Sequence, residues 1–268
     1  MVRTRLTMNS EGQFRFNSGE TLYYLKKKVM LARQGIFIQP NPSYIKKMVE
    51  LLGLEGKKAK GLPHHSSLEV YSKDDIKDNE RLDAEGQRIL RSGLGLALYI
   101  AQDRPDIQQA LKTLSTYMAG GTKLAFTALR HLASYLNGTR EAGVLLTQTK
   151  TYQITSDHWD YAEWSNRQDG QAFNLEAFTD AIWAGCKVSR KSMTSYMIFM
   201  NGNLLISSCK LQSSKALSSA ESELYASCSG IAEFLHVGSL LKFLIGEDVQ
   251  MTAYSDSSAA RGIMQRAG

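Results

Sequence analysis

The dipeptide Asn201-Gly202 sits between two strand-like runs, Ser195 to Met200 and Asn203 to Lys210. Asn-Gly supplies the two left-handed positions that a type I′ turn demands, so this stretch is constrained to a two-residue β-hairpin. Its flanks narrow the fold further. Ala172 to Thr179 reads as a strand ending at Asp180. Ser218 to Leu244 reads as a long helix, with Ser218 and Glu221 as a capping box and Gly230 as a kink point. Val249 to Ser255 reads as a strand ending at Asp256, and a helix starts at Ser257 or Ser258. Strand, hairpin, helix, strand, helix is the order of an α/β unit.

At 268 residues the chain has room for a second core upstream. There, Leu22-Tyr-Tyr-Leu25 and Gly35-Ile-Phe-Ile-Gln39 read as strands, with Lys26-Lys-Lys28 interrupting the first. Pro40-Asn-Pro42 breaks the second. Ile45, Met48, Val49 and Leu52 then recur at helical spacing up to Gly53. Residues 63–80 read as a connector. Three helices follow between Glu80 and Gly138, one of them started by Pro105 at its first turn. The expected organisation is 1–70, a helical connection over 71–150, a linker or inserted loop over 151–171, and an α/β unit over 172–268.

Composition removes several function classes. With 43% hydrophobic and 22% charged residues the chain is neither disordered nor a disulfide-stapled mini-protein. Three cysteines without CxxC spacing argue against a zinc site and for a reduced, intracellular compartment, cytoplasmic or nuclear. No consecutive apolar run approaches membrane-spanning length, and the first residues lack a secretory apolar core, so no membrane partner is expected. The charge is uneven. Residues 1–60 hold 12 Lys/Arg against 4 Asp/Glu, while the rest hold 20 against 22. A basic front of this kind fits a polyanion such as nucleic acid, and equally a solvated lysine face.

Three carboxylates stand where chemistry could gather. If the strands ending at Asp180 and Asp256 are adjacent and parallel, both aspartates leave the same edge of the sheet. The intervening helix can lay Glu223 beside them. Clustered carboxylates repel one another, and a divalent cation is the usual compensation. The competing reading is a pair of strand-end turn residues and a solvated helix glutamate.

The residues around these acids carry a resemblance. Phe178-Thr-Asp-Ala-Ile-Trp-Ala-Gly-Cys186, Arg190-Lys-Ser-Met-Thr-Ser-Tyr196, Ser218-Ser-Ala-Glu-Ser-Glu-Leu-Tyr-Ala226 and Tyr254-Ser-Asp-Ser-Ser-Ala259 resemble the ribonuclease H domain of copia-type retrotransposon Pol polyproteins. Asp103-Arg-Pro-Asp-Ile107 and Arg130 to Thr139 look like the connecting helices before that domain. Residues 22–62 are similar to the end of the family's reverse transcriptase. The resemblance implies a ribonuclease H-like mixed sheet, preceded by a helical connection and a reverse-transcriptase C-terminal fragment. It implies Mg²⁺, with Mn²⁺ as a substitute, held by Asp180, Glu223 and Asp256 as the catalytic acids, and it makes Glu221 the less critical one. The implied reaction is hydrolysis of the RNA strand of an RNA–DNA hybrid. The implied partners are that hybrid or other nucleic acid and the remainder of the polyprotein. Arg190, Lys191 and Ser192 are the expected phosphate contacts.

Three departures from the family pattern bear on this. Ile182 stands where the family often has a second acid. Ser195 stands where it has Gly, which is expected to strain the hairpin entry. The sequence stops at Gly268, before the family's last strand and the helix with its fourth acid, and it lacks the polymerase Tyr-x-Asp-Asp motif. Polymerisation is therefore not expected, and the alternative function is a non-catalytic nucleic-acid-binding relic. Among weaker signals, Gly120-Gly-Thr-Lys123 lacks phosphate-loop spacing. His64-His65 reads as a solvated loop, His131 as a packed or surface residue, and Trp159, Tyr161 and Trp164 as either a packing patch or a base-stacking group.

Overall fold

A computed structural model describes residues 21–32, 35–66, 80–147, 173–187, 189–246 and 248–266. The expected linker over 151–171, with Trp159, Tyr161 and Trp164, lies outside the described residues, as do most of the connector and residues 1–20. The described residues form a mixed α/β molecule with two four-stranded sheets and six α-helices.

The first sheet is antiparallel, in the order β1 (Thr21–Tyr24), β2 (Lys27–Ala32), β3 (Gly35–Pro40), β4 (Val144–Thr147). Leu25 and Lys26 both have positive φ and make the β1–β2 turn. The lysine cluster therefore does not end the strand region. Lys26 turns it and Lys27 begins β2, a strand that the expected pattern lacked. β4 is a second correction, because residues 144–147 leave the helical stretch and pair with β3, Gly35 opposite Thr147.

Helix α1 (Pro42–Leu51) begins at Asn41, whose side chain accepts the Ser43 N–H at 2.9 Å, with Pro42 in the first turn where it needs no donor. Helices α2 (Ala84–Ile100), α3 (Gln108–Ser115) and α4 (Lys123–Gly138) follow. Asp83 caps α2 and Thr122 caps α4. Pro105 opens a short 3₁₀ turn that leads into α3. Ile45, Met48 and Leu52 share one hydrophobic core with Leu90, Leu94, Leu111, Leu129 and Leu132. Residues on both sides of the boundary expected near 70 thus build a single core.

The second sheet runs β7 (Asn203–Leu211), β6 (Met193–Met200), β5 (Phe173–Ile182), β8 (Val249–Ser255). Asn201 and Gly202 have φ of 48° and 78°, as the hairpin turn requires. β8 is parallel to β5, from Phe173 opposite Val249 to Thr179 opposite Ser255. The crossover is α5 (Ser219–Ile245), and α6 (Ser258–Arg266) follows β8. Ser195 is accommodated within regular β6 pairing, opposite Asp180, without positive φ. The hairpin entry is not strained there.

Helix α5 lies on the sheet through Ala226, Ser227, Gly230, Phe234 and Val237. Gly230 serves close approach, not a kink within an interrupted helix. A Cβ there would stand 2.5 Å from Thr179 Cγ2 and 3.2 Å from Tyr196 Cβ. Contrary to the expectation from apolar runs, α5 is by length and composition apolar enough to cross a membrane. Its Ile, Leu, Phe and Val residues raise the mean hydropathy, and no unbroken apolar run forms because they are interspersed with small residues such as Ser227 and Gly230. In the structure these small residues face the sheet.

Candidate metal centre

The parallel pairing of β5 and β8 brings Asp180 and Asp256 to the same end of neighbouring strands. Glu223 comes from the second turn of α5. One carboxylate oxygen of each residue lies within 4.8 Å of the others. The three acids selected from the sequence are therefore brought together. Among the described residues no other cluster of three or more metal-ligating side chains has this geometry.

The cluster is held from beneath. Thr179 Oγ1 lies 3.2 Å from Ser227 Oγ on α5 and donates to the Tyr254 carbonyl on β8 at 3.3 Å. One side chain thus ties together the three elements that carry the acids. Sequence reasoning missed this residue. Its only signal was a threonine immediately before a strand-end aspartate. Glu223 Oε1 accepts the Ala181 N–H at 3.2 Å, while Oε2 is buried without a hydrogen-bond partner. Burial and the charge of Asp180, with a smaller effect of Asp256, push the Glu223 carboxyl above its ordinary value against the pull of that N–H. A hard divalent cation fits this donor set, because it offers the orphaned oxygen a partner and offsets the repulsion.

Glu221 belongs to another surface. Its carboxylate accepts the Leu217 N–H at 2.7 Å and the Tyr225 hydroxyl at 2.7 Å, which hold it below the ordinary range. It closes the α5 cap, although the partner N–H is that of Leu217 and not of Ser218. Ser218 completes the other half by accepting the Glu221 N–H.

The expected phosphate contacts separate. Ser192 is fully buried, and its hydroxyl accepts the Ala184 N–H at 3.0 Å, so it shapes the turn and cannot reach a substrate. Lys191 donates to the Ser213 carbonyl at 2.5 Å, and Arg190 is exposed with φ of 57°. Elsewhere, the His65 ring meets His131 edge-on at 5.1 Å, and His131 Nε2 lies 2.9 Å from the Leu62 carbonyl. These histidines pack the loop onto α4 instead of solvating it.

The sequence comparisons agree with the resemblance. The chain is 28% identical over 151 residues to the retrovirus-related Pol polyprotein from transposon RE1 of Arabidopsis thaliana, covering 56% of this chain and 9% of that protein. It is 25% identical over 218 residues to the corresponding polyprotein from transposon TNT 1-94 of Nicotiana tabacum, covering 81% of this chain and 15% of that protein. The chain is related to the Pol polyproteins of copia-type transposons. It is also 28% identical over 143 residues to an uncharacterized mitochondrial protein of Arabidopsis thaliana, 53% of this chain and 51% of that protein. The chain thus spans from about a tenth to about half the length of these relatives. No protein-family model matches it. A solved structure of the foamy viral protease-reverse transcriptase in complex with RNA/DNA hybrid is 13% identical, with a TM-score of 0.42, covering 89% of this chain and 29% of that one. That likeness is too distant to fix the fold.

Proposed function

We propose that the chain corresponds to part of a retrotransposon Pol polyprotein, and that residues 173–266 form a ribonuclease H-like unit that hydrolyses the RNA strand of RNA–DNA hybrids. The convergence of Asp180, Glu223 and Asp256 carries the reading. These residues would hold Mg²⁺, or Mn²⁺ in its place. When bound, such ions lower the pKa of the attacking water and stabilise the phosphate charge. The chain's own contribution is positional. Thr179 locks β5, β8 and α5 in register, and the Ala181 N–H fixes one Glu223 oxygen and leaves the other without a hydrogen-bond partner. Lys191 and Arg190 supply positive charge to the adjacent backbone phosphates. Further partners would be the remainder of such a polyprotein, in an intracellular setting.

The test is thermal melting of the full chain with and without 10 mM MgCl₂, alongside cleavage of an RNA–DNA hybrid labelled on the RNA. Mg²⁺ should raise the melting temperature, because it binds the folded cluster and not the dispersed acids. Asp180→Asn and Glu223→Gln should lose that shift and any cleavage, while Glu221→Gln keeps both. A wild-type chain that binds Mg²⁺ and the hybrid without cutting it would favour the relic reading. A wild-type chain indifferent to Mg²⁺ would overturn the metal centre.

A further inference from the structure

Trp183 follows Asp180 by three residues, a separation that limits the distance between their Cα atoms to about 10–11 Å. A tryptophan ordinarily hides its large apolar surface, yet Trp183 is 51% exposed. It is not loose, because its indole N–H donates to the Ala216 carbonyl at 3.1 Å. Ala184, with φ of 48°, turns the chain immediately after it. The ring is therefore pinned at one edge to the loop that leads into α5, the helix that carries Glu223, with part of its surface open.

The loop that pins the ring also gathers cations. Lys191 donates to the Ser213 carbonyl in that loop and has two ammonium hydrogens left. Lys215 adjoins Ala216 and is exposed. Between residues 183 and 217 there are five Lys or Arg and no Asp or Glu. An aromatic surface with cations around it, next to an acidic cluster, matches a nucleic-acid strand. Its phosphates seek the lysines, its bases and sugars present flat apolar faces, and the acids by themselves would repel it.

We propose that Trp183 is a stacking shelf for a base or sugar of the bound strand, and that Lys191 and Lys215 hold the flanking phosphates so that one phosphodiester reaches the acids. The inference rests on the ribonuclease reading only for which strand is bound. Stacking of this kind tolerates any base, so the shelf sets position along the strand and not sequence.

The test uses the full chain with Trp159→Phe and Trp164→Phe, which leaves Trp183 as the only tryptophan. A twelve-base-pair RNA–DNA hybrid is titrated in EDTA, with binding followed by anisotropy of a dye on the hybrid and by tryptophan emission. Emission should be quenched in step with binding. Trp183→Ala should weaken binding about tenfold and Trp183→Phe by no more than about twofold, with circular dichroism spectra unchanged. Heparin should displace the hybrid and restore emission, because it offers charge without bases. Emission that ignores a bound hybrid, or no binding at all, would overturn the shelf. Loss of cleavage in Mg²⁺ with quenching intact would defeat the ribonuclease reading and leave the shelf standing.

Discussion

Two carboxyl groups show how neighbours set the sign of a pH response. Glu223 is pushed above its ordinary value by burial and by Asp180. Its contribution to stability is complete below its unfolded pKa of about 4.3 and is lost as pH rises through the raised folded value. In EDTA, the wild-type chain should therefore lose melting temperature relative to Glu223→Gln as pH rises through that window, and Mg²⁺ should abolish the difference. Asp106 has the opposite sign. Burial alone would raise its pKa, but hydrogen bonds from Arg104 and Tyr135 at 2.7 Å, with the Arg104 charge, hold it below the ordinary value. Its contribution is present above about 3.9 and disappears as pH falls through the lowered folded value. Acid melts of wild type and Asp106→Asn should converge at low pH. Arg104 itself is 1% exposed and also donates to the Thr139 carbonyl and hydroxyl, which joins the entry to α3 with the end of α4. Arg104→Ala should cost about 2–4 kcal/mol, read by urea unfolding, because it strands buried acceptors. A loss under 1 kcal/mol would show the clamp to be dispensable.

At the scale of elements, Gly230 couples packing to the acids. Gly230→Ala would place a methyl group 2.5 Å from Thr179 Cγ2, so α5 must lift or Thr179 must turn. Overpacking of this kind costs about 1–3 kcal/mol. The same movement would loosen the Thr179 to Ser227 contact beneath Glu223, so the Mg²⁺ shift in melting temperature should shrink along with stability. A destabilised variant with a full Mg²⁺ shift would show that the acids do not depend on this packing. The elements differ in how far the sequence revealed them. Asn201-Gly202, the α5 cap and the strand-end aspartates depend on neighbours within a few residues, and local turn and capping rules find them. β4 depends on β3 about a hundred residues away, and four residues of Val-Leu-Leu-Thr carry no period that would announce such a partner. Ser192 failed as a substrate contact for a related reason. A serine in a basic turn reads the same whether its hydroxyl faces solvent or the Ala184 N–H.

For the molecule as a whole, the two sheets meet through side chains and not through shared strands. Asn203 of β7 accepts the Thr147 N–H at 2.6 Å and donates to the Thr147 carbonyl at 3.1 Å, while Gln108 of α3 donates to Ser207 Oγ at 2.8 Å. Among the described residues, α1 at the end of the basic front packs in one core and α5 behind the acidic cluster in another, with these polar contacts between them. That separation lets each end be tested alone. Lys57, Lys58 and Lys60 are exposed beyond α1, whose Ile45, Met48 and Val49 pack in the front core, and none of them is a member of the acidic cluster. If the front tracks phosphates, each contact releases counterions, and the logarithm of affinity falls with the logarithm of salt by about 0.9 per phosphate neutralised on duplex DNA. Replacing all three lysines by Ala should then lower the steepness of the salt dependence by about 2–3, measured by hybrid binding between 50 and 200 mM KCl. Because the substitutions lie outside the acidic cluster, the Mg²⁺ shift in melting temperature should be unchanged. An unaltered salt slope would mean that these lysines form a solvated surface, and that the charge excess of the first 60 residues does not track phosphates through them.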